Sequence, residues 1–366
     1  MFNGKEESCE DIISKGLAKK LSRRRLVRLI LAAMAVLGLA GCARFIGLDQ
    51  EDEEETEKEV EKTEKKEPAE EEIEKEEAKE KEEAKGREGM PLRKLGKTGE
   101  MVSILGLGGA FTIAASDRSD QAERIIHRAL DLGVNYIDTA PSYGSSERNI
   151  GQAIKDRRGE VFLASKTLDR TYEGTMTLIH QSLKRLQTDY LDLLQVHGLH
   201  SADELDHIMA DDGVLAALEK LKQDGLIRFT GVTGHKNPQV LLEAIERYDF
   251  DCILLPLNPA DPYYQPFQEE VLPLAKKKDM GIIAMKIAAY GRIFKDNGLN
   301  SMEKALGYVL SFPVSSAVVG ISTMDEMEEN IGIAKEFRQM EPEELKHLEK
   351  LVEPYQDEVN FFKKVW

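Results

Sequence analysis

The chain has 366 residues, yet it holds only three cysteines and carries a formal charge of −17, so it is short of thiols and of positive charge. Cys9, Cys42 and Cys252 are too few and too scattered to ligate zinc or an iron–sulfur cluster, and no metal is expected. No disulfide is expected either. Cys9 should leave with a signal segment, Cys42 should carry lipid, and Cys252 lies in an apolar run that reads as buried. The acidic balance excludes nucleic acid as a partner, because phosphates call for a basic face. Two further absences narrow the fold and the topology. The apolar run at residues 29–40 is shorter than the roughly 20 residues that span a bilayer, so it reads as the core of a signal peptide. A complete G-x-G-x-x-G is missing too: Gly106-Leu107-Gly108-Gly109-Ala110-Phe111 has two of the glycines and Phe111 in the third place. An open doubly wound sheet therefore lacks its usual fingerprint, and a tight turn after a strand explains the glycines that are present.

What is present begins with an address. Four arginines lie within Ser22-Arg23-Arg24-Arg25-Leu26-Val27-Arg28, a stretch similar to the twin-arginine export signal. Leu39-Ala40-Gly41-Cys42 is similar to a bacterial lipobox, in which the cysteine, as a strong nucleophile, is acylated and becomes the mature N-terminus. Residues 1–42 thus read as a signal peptide, with a retained signal anchor as the alternative. The expected location is the outer side of the cytoplasmic membrane, held there by lipid on Cys42. Residues 43–89 follow as a linker. Within it, residues 51–85 carry 19 acidic and 8 basic side chains and almost nothing apolar, so the segment cannot offset its ordering entropy and reads as a tether.

From Met90 onward apolar runs alternate with amphipathic segments. Runs at 102–107, 136–138, 161–166, 191–197, 227–233, 252–257, 281–286 and 317–321 read as buried strands. Between them, stretches such as SDQAERIIHRALDLG and PQVLLEAIERY place apolar residues at i, i+3 and i+4. Eight such units predict a (β/α)₈ TIM barrel over residues 90–340, with an added helix and tail at 341–366. Phe361, Phe362 and Trp366 in that tail either cover the barrel mouth or pack against its side. In a TIM barrel, chemistry sits at the C-terminal ends of the strands. Those ends hold Asp138, Lys166 and His197, with Tyr143 in the loop after Asp138, so an acid, an amine, an imidazole and a phenol are expected on one rim. His180, His200, His207, His235 and His347 show no ligand spacing and read as ordinary.

The segments DTAPSYGSSE, ASKT, DYLDLLQVHG, GLIRFTGVT and MEENI fall in the order and spacing of one family. The chain from about residue 90 to about residue 337 resembles the aldo-keto reductases. The resemblance implies an oxidoreductase that moves a hydride between NAD(P)H and a small carbonyl or alcohol substrate, with Tyr143, Lys166, Asp138 and His197 as its tetrad. The chemistry is coherent. Hydride addition builds negative charge on oxygen, so the site needs a proton donor and groups that stabilise that charge. An ammonium beside a phenol eases proton release, an acid holds the ammonium, and an imidazole orients the carbonyl.

The resemblance also implies cofactor contacts from Thr233, Asn258 and Lys286 and from the stretch VVGISTMDEMEENI. There Gly320, Ile321 and Ser322 are expected to approach phosphate through their backbone groups, and Glu329 and Asn330 to reach the adenine. Glu326 stands where many members carry an arginine for the 2′-phosphate of NADP, which favours NADH. Thr233-Gly234 replaces a common Ser-Asn pair and Leu254 a carboxamide-binding glutamine, for which His235 is a possible substitute. These departures keep a second class open, a lipid-tethered barrel that binds nucleotide or a partner without turnover. Twin-arginine export moves folded chains, which suits an enzyme that loads its cofactor before crossing. A tightly held cofactor, regenerated in place, is the corresponding expectation. The sequence names neither the substrate nor the oligomeric state.

Overall fold

The computed structural model describes residues 86–365. The export signal, Cys42, nearly all of the acidic linker and Trp366 lie outside the described residues. The chain enters through an antiparallel hairpin of β1 (Leu92–Lys94) and β2 (Met101–Ser103), with Leu92 opposite Ser103. Then come β3 (Leu105–Phe111), β4 (Tyr136–Asp138), β5 (Phe162–Thr167), β6 (Leu191–Val196), β7 (Ile227–Thr233), β8 (Cys252–Pro256), β9 (Gly281–Met285) and β10 (Ser316–Ile321). These eight strands are parallel neighbours in chain order, and β10 pairs with β3 to close the barrel. The expected (β/α)₈ architecture is the one observed.

One run divides differently from its sequence pattern. Residues 102–107 read as a single strand, but the chain breaks at Ile104 into the end of the hairpin and the start of β3. Ser103 fixes the break: its hydroxyl donates to Leu105 O at 2.7 Å, and its N–H donates to Asn135 Oδ1 at 2.7 Å. Apolar continuity cannot reveal a corner made by a serine and a distant asparagine.

Alternation along the strands sorts side chains into two layers. Tyr136, Phe162, Ala164, Leu193, Cys252, Leu254 and Ile283 pack inside the barrel together with Leu95 and Val102 of the hairpin. Leu95 closes the end where strands begin, since a Cβ on Gly281, the first residue of β9, would stand 2.6 Å from Leu95 Cγ. The opposite strand faces meet the helices. In α1 (Ser119–Asp131) the buried residues Ala122, Ile125, Ile126, Ala129 and Leu130 make one stripe against the sheet. Side-chain caps begin α3 (Tyr172–Leu186), which follows α2 (Ser146–Ile154), and α4 (Ala202–Met209): Thr171 and Ser201 accept first-turn N–H groups.

After β10, α5 (Met324–Lys335) starts at a Thr323 cap, and α6 (Pro342–Val352) starts at a Glu341/Glu344 capping box. The last described helix, α7 (Phe361–Val365), is pinned by a buried charge. Lys363 Nζ donates to Asp261 Oδ1 at 2.6 Å and to the Tyr264 and Gln265 carbonyls at 2.6 and 3.1 Å. Both charged groups are inaccessible to solvent, and burial pushes the Lys363 ammonium down while Asp261 opposes it. The tail aromatics divide between the two alternatives: Phe362 is core, and Phe361 meets Tyr290 with ring centroids 5.9 Å apart.

Removing one partner strands the other charge, which costs about 3–5 kcal/mol in buried pairs. Lys363→Met should therefore lower the unfolding free energy by about that amount in urea titrations. The double variant Lys363→Met/Asp261→Asn should recover most of the loss.

Candidate active site

The strand ends deliver their polar residues to one place. In β5, Phe162, Ala164 and Lys166 share a face, so the apolar layer of the barrel is capped by an ammonium. Lys166 is 1 % exposed and pairs with Asp138 Oδ1; it also donates to Thr139 O at 2.8 Å. Asp138 Oδ2 accepts from Gln195 Nε2 at 2.9 Å. The loop after β4 turns back through Tyr143 N–H to Ala140 O at 3.0 Å, and its Gly144 has φ +49°. A side chain at Gly144 would put Cβ 2.7 Å from Ala114 O, so this turn requires glycine. The turn brings the Tyr143 ring to 4.9 Å from Lys166 Nζ and 6.0 Å, edge-on, from the His197 ring. Asp138, Tyr143, Lys166 and His197 thus meet at the top of the barrel.

The electrostatics centre on Lys166. Burial alone would lower its pKa, but Asp138 and Tyr143 outweigh burial and raise it, so the ammonium keeps its charge. The bases around it respond in the opposite direction. His197 is pushed down to about 3 by burial first and then by Lys166, Arg170 and Lys286. His235 is also held well below the usual imidazole range, chiefly by burial. Lys286 is lowered to about 7 by burial and by the Lys166 charge. At neutral pH, then, His197 and His235 are hydrogen-bonding groups without charge. His197 Nδ1 is buried and has no hydrogen-bond partner.

A cavity of about 740 Å³ opens beside this cluster. Its wall includes Asp138, Tyr143, His197 and His235 at one end and Ser322, Glu326, Glu329 and Asn330 at the other, with Lys286, Tyr290 and Gly320 along it. A cavity of this size suits a cofactor and a small substrate. The polar side chains on this wall, with Tyr143 and His197 among them, fit a dinucleotide cofactor.

Most of the expected cofactor residues line this space, and the side chains of three turn elsewhere. Thr233 is fully buried and its Oγ1 accepts from Gly198 N–H at 2.8 Å, holding the loop that carries His197. Asn258 uses its amide on Lys286 O at 3.1 Å and its carbonyl on Ala260 N–H at 2.9 Å. Ile321 turns into the apolar layer with Met327 and Ile331. The short polar side chains of Thr233 and Asn258 serve neighbouring backbone, and alternation turns the Ile321 side chain away, leaving its backbone as the group expected at the cofactor. Glu326 accepts from Ser322 N–H at 2.8 Å, so its carboxylate sits at the start of α5 and on the cavity wall.

His235, without ligand spacing but named as a substitute near the nicotinamide, lines the cavity with its ring 6.4 Å from His197. Leu254, named as a departure there, lines it as well. Two residues escaped the sequence reading. Gln195 touches Asp138, and its place two residues before His197, on the same strand face, was the available signal. Glu147 is buried under the site, accepting from Ser165 Oγ at 2.8 Å and Arg185 Nε at 2.6 Å. Among the described residues no group of three or more histidine, cysteine and carboxylate side chains could hold a metal ion.

A closed parallel barrel with its polar cluster at the strand ends defines a TIM-barrel protein with an enzyme-like cavity. Residues 104–301 match the profile of the Aldo/keto reductase family. The chain is 30 % identical over 308 residues to the uncharacterized oxidoreductase YqkF of Bacillus subtilis (strain 168), covering 71 % of this chain and 96 % of that protein. Among solved structures it resembles aldo-keto reductase AKR11C1 from Bacillus halodurans in its holo form, with a TM-score of 0.61 and 28 % identity over 72 % of this chain and 96 % of the other. The fold is also that of an aldo-keto reductase from Klebsiella pneumoniae in complex with NADPH, at a TM-score of 0.59 and 22 % identity, covering 72 % of this chain and 95 % of that one. The chain belongs to the aldo/keto reductase family of oxidoreductases.

His197 gives a measurable acid dependence. An imidazole that titrates at about 3 when folded and near 6.5 when unfolded takes up a proton on unfolding between those values. Its contribution to stability is complete above about pH 6.5 and is lost as pH falls toward 3. His197→Gln should lower the proton uptake on unfolding near pH 5 by about one, read from the pH slope of the unfolding free energy.

Proposed function

We propose that this chain is an NAD(P)-dependent carbonyl reductase or alcohol dehydrogenase in which Tyr143 exchanges the proton. The observation that carries this reading is the buried Lys166–Asp138 pair beside the Tyr143 ring. A bound nicotinamide supplies or accepts the hydride. Tyr143 donates its proton to the carbonyl oxygen as charge develops there, and Lys166 stabilises the phenolate left behind. The neutral imidazole of His197 orients the carbonyl by hydrogen bonding. With its pKa near 3, His197 is a neutral imidazole at neutral pH, a hydrogen-bond donor and not an imidazolium acid, which leaves proton transfer to Tyr143. In alcohol oxidation the same residues act in reverse.

Cofactor contacts are assigned to the cavity residues Lys286, Gly320, Ser322, Glu326, Glu329 and Asn330. Support for a nicotinamide dinucleotide comes from the family and from the NADPH in the Klebsiella relative. Glu326 favours NADH here: its carboxylate, fixed on the cavity wall by the Ser322 N–H, repels a 2′-phosphate. The intact tetrad favours turnover over a barrel that only binds. Export and lipid attachment at Cys42 are proposed from the arginines and lipobox of residues 22–42. In that location the cofactor must be retained and regenerated in place by a second substrate or an electron partner.

Four measurements test this reading. Denaturing the purified protein should release NAD or NADP identifiable by mass spectrometry; an empty protein that also leaves NADH and NADPH fluorescence unchanged would overturn it. Tyr143→Phe should reduce kcat for carbonyl reduction by ~10²–10⁴ with cofactor affinity held. NADH should bind at least as well as NADPH, and Glu326→Arg should move the ratio toward NADPH by roughly tenfold, the scale of one charged contact. In cells, fatty-acid labelling of the chain should be abolished by Cys42→Ala.

A further inference from the structure

Gln195 is wholly buried in β6, and nothing in the mechanism above uses it. Its carboxamide lies among Asp138, Lys166 and the apolar interior. Nε2 donates to Asp138 Oδ2 at 2.9 Å, while Oε1 is buried with no hydrogen-bond partner. An amide that satisfies only one of its ends in the barrel is retained for that end. The backbone row explains how it fits: Lys166 pairs across to Gln195, and Gln195 pairs to Gly231. A Cβ on Gly231 would stand 3.0 Å from Gln195 Cγ, so glycine there makes room for the side chain.

We propose that Gln195 is a positioning residue for proton transfer, acting through Asp138 and Lys166; the inference rests on the carbonyl-reductase reading given above. Asp138 presents two oxygens. Lys166 occupies Oδ1 and Gln195 occupies Oδ2, so the carboxylate is held by donors on both sides and cannot rotate. Lys166 in turn spends N–H groups on Asp138 and on Thr139 O, which aims its remaining capacity at Tyr143. An amide N–H donates without ever surrendering its proton. It therefore meets only an oxygen that carries none, and keeps Asp138 available to Lys166. Without this donor, the carboxylate turns and the ammonium follows it, away from the phenol.

The test compares Gln195→Leu and Gln195→Glu with wild type. In the leucine variant kcat should fall tenfold or more while KM for the nicotinamide cofactor stays within twofold. The glutamate variant keeps the shape but can donate to Asp138 only while its introduced carboxyl is protonated. Its kcat should approach wild type in acid and drop as the introduced carboxyl loses its proton, a limb at lower pH than the one Tyr143 gives wild type as general acid. A structural role alone would lower stability and leave the pH profile unchanged. Circular dichroism and NADH fluorescence quenching establish that each variant is folded and binds cofactor.

Unchanged kcat and pH profile in both variants would overturn the inference. Should wild type itself reduce no carbonyl with either cofactor, the functional reading fails, and side-chain nitrogen spectra of 15N-lysine-labelled protein still decide the positioning role. The buried Lys166 ammonium signal should shift in Gln195→Leu; an identical signal would refute the role. If the leucine variant does not fold, Gln195→Glu carries the same test.

Discussion

The structure depends on keeping an ammonium charged inside the mouth of an apolar barrel. Lys166 tops a column of Phe162 and Ala164, where an isolated charge would be expelled or neutralised. Asp138 makes the position tenable, and Thr139 O takes a second N–H. The pair belongs to two adjacent strands, so the register of β4 on β5 is also the register of the site. A one-residue slip of either strand would turn its charged end group out of the barrel and an uncharged neighbour in. Fold and chemistry are thus specified by the same alternation.

A single cation also organises the bases nearby. Lys166 contributes to the lowering of His197, Lys286 and His235, after burial in each case. The reactive end of the cavity is lined by donors that carry little positive charge of their own, with one full charge beneath them. At the far end, Glu326 and Glu329 make the wall acidic. That acidic wall is the feature on which the proposed preference for NADH rests.

Much of this was legible in the sequence because strand alternation has period two. Once eight apolar runs are recognised, residues at the ends of runs are known to lie on one rim, and parity assigns Lys166 and His197 to the interior. Parity does not say which side chain of a neighbouring strand lies within reach, so LLQVHG alone does not mark Gln195 as a partner of Asp138. His235 lies beyond a strand end, where no period applies. Thr233 and Asn258 were assigned by resemblance alone, and local backbone groups claim their polar atoms. The Asp261–Lys363 pair joins positions 102 residues apart, a separation that no local pattern spans.

The backbone at the cavity wall shows why the tail is built as it is. Of the eight non-glycine residues with positive φ among the described residues, four line the cavity: Phe111, Lys286, Ala289 and Tyr290. Left-handed conformations are disfavoured for such side chains and persist where surrounding contacts over-determine them. Here the contacts are identifiable. Tyr290 meets Phe111 edge-on at 5.6 Å, receives a hydrogen bond from Lys286 Nζ at 3.2 Å and packs against Phe361 at 5.9 Å. Phe361 is covered in turn by Arg292 and tied down through Lys363. The buried ion pair of the tail therefore supports, through two aromatic rings, the strained wall of the cavity. This linkage accounts for a C-terminal extension anchored by a charge that is wholly removed from water.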